Sequence, residues 1–459
     1  MSQNAYWLRS ALFSLLEKAA GLIFSLGTVM ISSRLLSRHD FAAWGFFTLL
    51  LYFVEMGRSG LLQNGLMRFT ATHKEHETKR HRVQTAALLL NIAYTFLTGL
   101  LLLAMAQWLS TAYSLPQIPT LLPVYLLTNL FLTVLSHSQF VQQAHLEFRG
   151  LFWGTFLYRG ILFAWLVICW GTQKELLLTE MAGVQAFGAF SGALFCARLA
   201  RPWFPTWRET IHYTGQWESL KKAMLQFLVY GRYVLGTNMS AMFYKNIDKL
   251  TLGGLLGPAA FAIYDVAGKI TQMIEAPSFS IAAVVFPQSA HRAVHEGTEG
   301  VKILYERSVG AILAIILPFL VFTLCFAEWI VYILAGPQYA DSANILRLTA
   351  FFGMFMPFAV QFGTVLDSTG HPDTNFRYTL GTALLNLSLN YFFVKSFGLY
   401  GAAIATLTGY AVSFVFMQRL LHHQYGIVWW KAFQNIPILY GTAWEMVARK
   451  IKKIATFAP

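Results

Sequence analysis

The chain has 459 residues, of which 56% are hydrophobic and only 12% charged, with a mean hydropathy of +0.51. A composition this apolar needs lipid as its solvent and excludes an ordinary soluble enzyme or binding domain. The net charge of +13 would suit nucleic acid in a soluble protein, but in a membrane protein it marks basic cytoplasmic loops, and no nucleic-acid partner is expected.

Apolar runs of about 20 residues, the length that a bilayer core of about 30 Å demands, recur between short polar breaks. They are too long for barrel strands, so the fold class is an all-α membrane protein with about twelve spans. The first six predicted spans are 10 to 33, 41 to 65, 84 to 107, 118 to 137, 150 to 170 and 176 to 197. The first run has no small-residue cleavage site after it and reads as a retained helix. A polar, proline-containing linker at 198–221 follows. The second set is 222 to 244, 258 to 286, 304 to 333, 343 to 366, 377 to 394 and 398 to 421. The predicted organisation is an N-lobe at 1–197, that linker, a C-lobe at 222–421 and a tail at 422–459. The tail carries Trp429, Trp430 and the basic residues Arg449, Lys450, Lys452 and Lys453, a pattern for an amphipathic segment on the inner leaflet.

Basic residues collect in the breaks after even-numbered spans: Lys74, Lys79, Arg80 and Arg82, then Arg149, then Arg198, Arg201, Arg208, Lys221 and Lys222, then Arg292 and Lys302, then Arg377. The opposite breaks are poor in charge, with Lys245 and Lys249 in one of them, so both termini are expected to be cytoplasmic. The stretch 35–44 repeats at an offset of 220 as 255–264, each copy joining the first two helices of its half. Halves with an even number of spans enter from the same side, which gives two six-helix lobes related by a pseudo-twofold axis along the membrane normal.

Nine ionisable residues fall inside spans: Glu17, Lys18, Glu55, Arg58, Arg159, Arg232, Asp265, Lys269 and Glu275. Exposing all of them to lipid would cost on the order of 20 to 30 kcal/mol, so they face protein or water. Spacing allows structural pairs, Glu55 with Arg58 and Asp265 with Lys269. It also allows a cationic cavity between the halves, suited to an anionic headgroup. Cys169, Cys196 and Cys325 read as packing residues. His73 with His76, and His291 with His295, lie at helix ends without further ligands, and no metal site is expected. No nucleotide-binding or hydrolase motif occurs, and no cofactor is expected beyond possible coupling to H⁺ or Na⁺.

The second half resembles the oligosaccharide flippases of the multidrug/oligosaccharidyl-lipid/polysaccharide superfamily, the Wzx-like proteins. The likeness rests on Asn246-Ile247-Asp248-Lys249-Leu250, Leu256-Gly257-Pro258-Ala259-Ala260-Phe261-Ala262-Ile263-Tyr264, Phe286-Pro287-Gln288-Ser289, Gly336-Pro337-Gln338-Tyr339, Gly370-His371-Pro372 and Phe397-Gly398-Leu399-Tyr400-Gly401-Ala402-Ala403. In the first half Gly57 and Met67-Arg68-Phe69 match, while Leu36-Ser37-Arg38-His39-Asp40 departs from the family's Leu-Gly-Pro-Glu. The resemblance implies a MATE-like multi-pass protein of the bacterial inner membrane, working among membrane lipids beside other polysaccharide-assembly proteins. Its expected cargo is a polyprenyl-pyrophosphate-linked oligosaccharide, moved by alternating access. Lys18, Arg58, Arg159, Arg232 and Lys269 are the positions expected to take the pyrophosphate. Glu17, Glu55, Asp248, Lys249, Asp265 and Glu275 are the candidates for ion coupling or gating. Two rivals stand beside this reading. One is a cation-coupled multidrug antiporter of the same superfamily, which a basic cavity disfavours. The other is a membrane-embedded glycan polymerase or ligase, which would need larger external loops than these.

Overall fold

The computed structural model describes residues 3–72, 76–145, 147–205, 209, 214–437 and 439–441, and everything found is helix, turn or loop. His73, Lys74, Arg208 and the basic tail residues Arg449, Lys450, Lys452 and Lys453 lie outside the described residues. The helices are α1 (Gln3–Leu35), α2 (Arg38–Arg58), a π-type turn (Ser59–Gln63), α3 (Asn64–Thr72), α4 (Glu77–Ala112), α5 (Ile118–Ala144), α6 (Arg149–Thr172) and α7 (Leu178–Ala200). A 3₁₀ turn (Arg201–Trp203) ends this set. Beyond it come α8 (Trp217–Leu256), α9 (Pro258–His295), α10 (Gly297–Ala335), α11 (Ser342–Ala350), α12 (Phe352–Ser368) and α13 (Pro372–Tyr425).

Local chemistry sets the ends. Ser37 caps α2 by accepting from the Asp40 backbone N–H at 3.1 Å, and Asp40 complements the helix dipole. Gly257 takes a φ of +87°, open to glycine, just before Pro258 starts α9. Because α2 begins at Arg38 and α9 at Pro258, the predicted offset of 220 reappears as two equivalent helix starts.

Eight described helices are long and apolar enough to cross a membrane, or nine with α11 and α12 counted as one span bent by 43°. The 54 residues of α13 would reach about 80 Å, more than twice the bilayer core. The backbone breaks at Gly398 (φ 59°, ψ −135°), so α13 is two arms. With 40 and 38 residues, α8 and α9 have the length to span but carry charges midway. The architecture is a multi-pass α-helical membrane protein consistent with twelve spans.

Two compact units emerge from proximity along the backbone: Met1–Phe243 with Leu256–Ala262 and Leu334–Gly336, and Tyr244–Leu255 with Ile263–Ile333 and Pro337–Pro459. In the first, α5 packs between α4 and α7, α6 lies on α7, and α1 lies on α6. Backbones come close there: a Cβ on Gly188 would sit 2.6 Å from the Tyr158 carbonyl oxygen, and one on Gly192 would sit 2.7 Å from that of Gly154. In the second, Tyr305, Val309, Leu313, Phe362, Val365 and Leu421 form a core from α10, α12 and α13.

That core also takes Ile427 and Ala432 from the tail. The Val428 N–H donates to Glu306 Oε1 at 3.0 Å and the Tyr440 hydroxyl to the Ala314 carbonyl at 2.5 Å. From Glu306 to Ala314 helix α10 rises about 12 Å. The described part of the tail therefore climbs along α10, where the sequence suggested a segment lying on the leaflet. The physical reason is a tight seat: a Cβ on Gly310 would meet the Ala432 carbonyl oxygen at 2.6 Å. Phe433 and Ile436 pack against the same core.

Candidate functional site

Arg58 closes α2 and is wholly buried in the first unit, at 0% exposure. Its Nη2 donates to Asn129 Oδ1 at 2.7 Å and to Thr95 Oγ1 and Thr133 Oγ1 at 3.1 Å each, while Nη1 pairs with Glu55. Glu55 Oε2 in turn accepts from Ser136 Oγ at 2.7 Å. The network forms because Asn129, Thr133 and Ser136 fall three and four apart on α5 and share one face. This corrects the sequence expectation of an Arg58 open to a water-filled cavity. The pairing of Glu55 with Arg58, weighed from spacing, is present.

The other cationic candidates of this unit are more open. Lys18 and Arg159 are exposed on the neighbouring helices α1 and α6. Arg159 donates to the Gly21 carbonyl at 3.2 Å. Half-buried Glu17 accepts from Thr155 Oγ1 at 3.5 Å. Arg232 is exposed on α8. Lys269 is half-buried in the second unit, so the structure gathers the five cations into no single cluster within either unit.

The second unit assembles the acidic candidates instead. Helix α8 runs on to Leu256, and this corrects the placement of Lys245 and Lys249 in an external break. Lys249 is buried and pairs with Asp265 at 2.5 Å; Lys245 reaches Glu275 at 2.8 Å. Spacing allowed Asp265 a pair with Lys269 along its own helix; the hydrogen bond it accepts comes instead from Lys249 of α8. Among the described residues Asp248, between the two lysines, accepts from neutral donors: Thr406 Oγ1 at 2.5 Å, Asn390 Nδ2 at 2.8 Å and the Tyr264 hydroxyl. Lys245, Asp248, Lys249, Tyr264, Glu275 and Thr406 border a cavity of about 50 Å³, lined also by Gly268, Thr271 and Tyr410. That is room for a few waters or a small cation. The Asn390 Oδ1 atom is buried and has no hydrogen-bond partner.

Sequence reasoning missed Asn129, Thr133, Ser136, Asn390, Thr406 and Asn386, which bonds both Asn390 and Thr406, because it searched spans for charges. Their signal was polar residues repeating at helical spacing inside apolar runs, which lipid does not tolerate.

The chain matches the protein family described as polysaccharide biosynthesis protein over residues 31–344, more than half its length. Among its relatives is the amylovoran biosynthesis protein AmsL of Erwinia amylovora, 24% identical over 321 residues, which cover 68% of this chain and 77% of that protein. Another, "Probable low-salt glycan biosynthesis flippase Agl15" of Haloferax volcanii, is 25% identical over 186 residues, 40% of this chain and 39% of that protein. The chain spans about half the length or less of three of the four relatives it matches. Among solved structures, an inward-facing multidrug resistance MATE family transporter of the MOP superfamily matches with a TM-score of 0.71. At 16% identity, over 88% of this chain and 95% of that one, the likeness is one of fold.

Proposed function

The chain belongs to the polysaccharide biosynthesis protein family, and from that membership we propose that it is a flippase for a polyprenyl-pyrophosphate-linked oligosaccharide, working in the bacterial inner membrane by alternating access. It is a multi-pass transporter rather than an enzyme. The observation that carries this reading is the density of ionisable and amide side chains inside spans, with Arg58 at the centre of one set and Asp248 at the centre of another. Such groups are costly in lipid and belong to polar pathways.

Lys18, Arg159, Arg232 and Lys269 take the pyrophosphate, since each keeps some exposure or lies at a half-buried position. Arg58 contributes by fastening α2 to α4 and α5. The lobes are 1–197 and 222–421, joined by 198–221, with both termini on the cytoplasmic side as the basic breaks indicate. Moving about two negative charges out of a negative interior is helped by roughly 2.3 kcal/mol per charge per 100 mV.

Asp248 is the coupling carboxylate. Its surroundings fit a small monovalent cation: hard oxygens from Asp248 and Thr406 line the cavity, and Asn390, which donates to Asp248, keeps a buried Oδ1 without a hydrogen-bond partner. A bound Na⁺ or proton would offset the Asp248 carboxylate, whose described hydrogen bonds come from neutral donors.

The test is a strain lacking this protein and any redundant flippase. Lipid-linked oligosaccharide should accumulate on the cytoplasmic leaflet, and an unchanged distribution rejects the reading. In the complemented strain Arg159→Ala, Arg232→Ala and Lys269→Ala should each reduce export at normal expression; full activity in all three removes the cationic site.

A further inference from the structure

Charge leaves one polar feature of the first unit without a use. Glu55, Ser59 and Gln63 follow one another four residues apart from α2 into the π-type turn, and Ser136, Gln139 and Gln143 stand on α5. Two bonds join the rows, Ser136 Oγ to Glu55 Oε2 at 2.7 Å and Gln63 Nε2 to Gln143 Oε1 at 2.7 Å. Within the first row Ser59 bonds Gln63. The line then crosses to α6, where Gln139 Nε2 donates to Thr155 Oγ1 at 3.4 Å, and to α1 through Thr155 and Glu17 at 3.5 Å. All of these residues fall within segments long and apolar enough to span a membrane.

The π-type turn gives the row its direction. In an α-helix, two steps of four residues would carry Gln63 about 80° round from Glu55. A wider turn over Ser59–Gln63 takes up that drift, so Gln63 still reaches Gln143 while Glu55 reaches Ser136. Such turns recur at functional sites. Glu55, Ser59, Gln63, Gln139, Gln143 and Thr155 are all half-buried, neither sealed in a core nor turned fully outward. Uncharged amides and hydroxyls offer little to a pyrophosphate and nothing to an acyl chain. Each glutamine, however, presents a donor and an acceptor together, which matches sugar hydroxyl and acetamido groups.

We propose that this line is the subsite for the sugar portion of the cargo, reading uncharged hydroxyl- and amide-bearing sugars, on the understanding that the protein is the flippase described above. The pyrophosphate is held by the cations, two of which, Lys18 and Arg159, stand beside the Glu17 and Thr155 end of the line.

The test uses the full-length protein reconstituted in vesicles with two probes: lipid-linked oligosaccharide extracted from the strain lacking the protein, and polyprenyl pyrophosphate bearing no sugar. Transfer of each to the opposite leaflet is timed for wild type and for the combined variant Gln63→Leu, Gln139→Leu, Gln143→Leu. The readout is the ratio of the two rates. Loss of three paired amides should lower that ratio by about tenfold or more. A ratio equal to wild type overturns the subsite, whether both rates are intact or both fall together as a general folding defect would make them. If wild type moves neither probe, the flippase reading itself fails and the subsite falls with it, an outcome distinct from an unchanged ratio.

Discussion

Arg58 in the first unit and Asp248 in the second are inverse answers to the same difficulty, a charge inside a membrane span. The guanidinium is ringed by acceptors, Glu55, Thr95, Asn129 and Thr133, and is wholly buried. The carboxylate is ringed by donors, Tyr264, Asn390 and Thr406, and borders a cavity of about 50 Å³. A guanidinium keeps its charge at any pH a cell presents, so it can fasten helices but exchanges nothing. A carboxylate beside open volume can trade one cation for another. The contrast separates a sealed fastening from a carboxylate beside open volume, although both look alike as charges in apolar sequence.

Four substitutions tell the two buried charges apart. Lys249→Ala strands Asp265, and because the two side chains are 6% and 7% exposed the cost should reach about 3–5 kcal/mol. Thermal melting in detergent reads it, and Lys249→Ala with Asp265→Ala should recover part of the loss; a double variant no better than the single would show that the pair is not coupled. Arg58→Ala should cost about 3 kcal/mol, at the lower end because Glu55 is 28% exposed. A wild-type melting point would show that the network does not hold α2 to α4 and α5. Asp248→Asn keeps the shape and should change stability by no more than about 1 kcal/mol. Its effect belongs in transport, where any dependence of the rate on Na⁺ or on a proton gradient should vanish; retained dependence moves the coupling site away from Asp248. Ser136→Ala removes one bond to Glu55 and should cost about 0.6 kcal/mol, near the limit of a melting measurement.

The apolar runs made the helices legible, and the repeat at 35–44 and 255–264 anticipated the helix starts at Arg38 and Pro258. What stayed hidden is tertiary. Asp265 has Lys269 one turn away in sequence, and only packing of α8 on α9 brings Lys249 to it. Lys245 and Lys249 looked like loop residues because hydropathy drops at 244, whereas the helix persists since its charges are satisfied across the interface. Asn390 and Thr406 lie 142 and 158 residues from Asp248 and carry no charge to draw attention. The gap at 395–397 between two predicted spans lies next to Gly398, which is the break between the two arms of α13.

The seat of the tail on α10 bears on how the protein is made. Val428 reaches Glu306 across 122 residues of chain. At about 5–20 residues per second, α10 leaves the ribosome roughly 6–24 s before the segment that covers it. During that interval the Gly310 face of a newly inserted helix is bare, and any other helix with small residues can occupy it. The order of synthesis thus gives the second unit a window of vulnerability, and α1 of the first unit, which waits for α6 to be made, passes through a similar one.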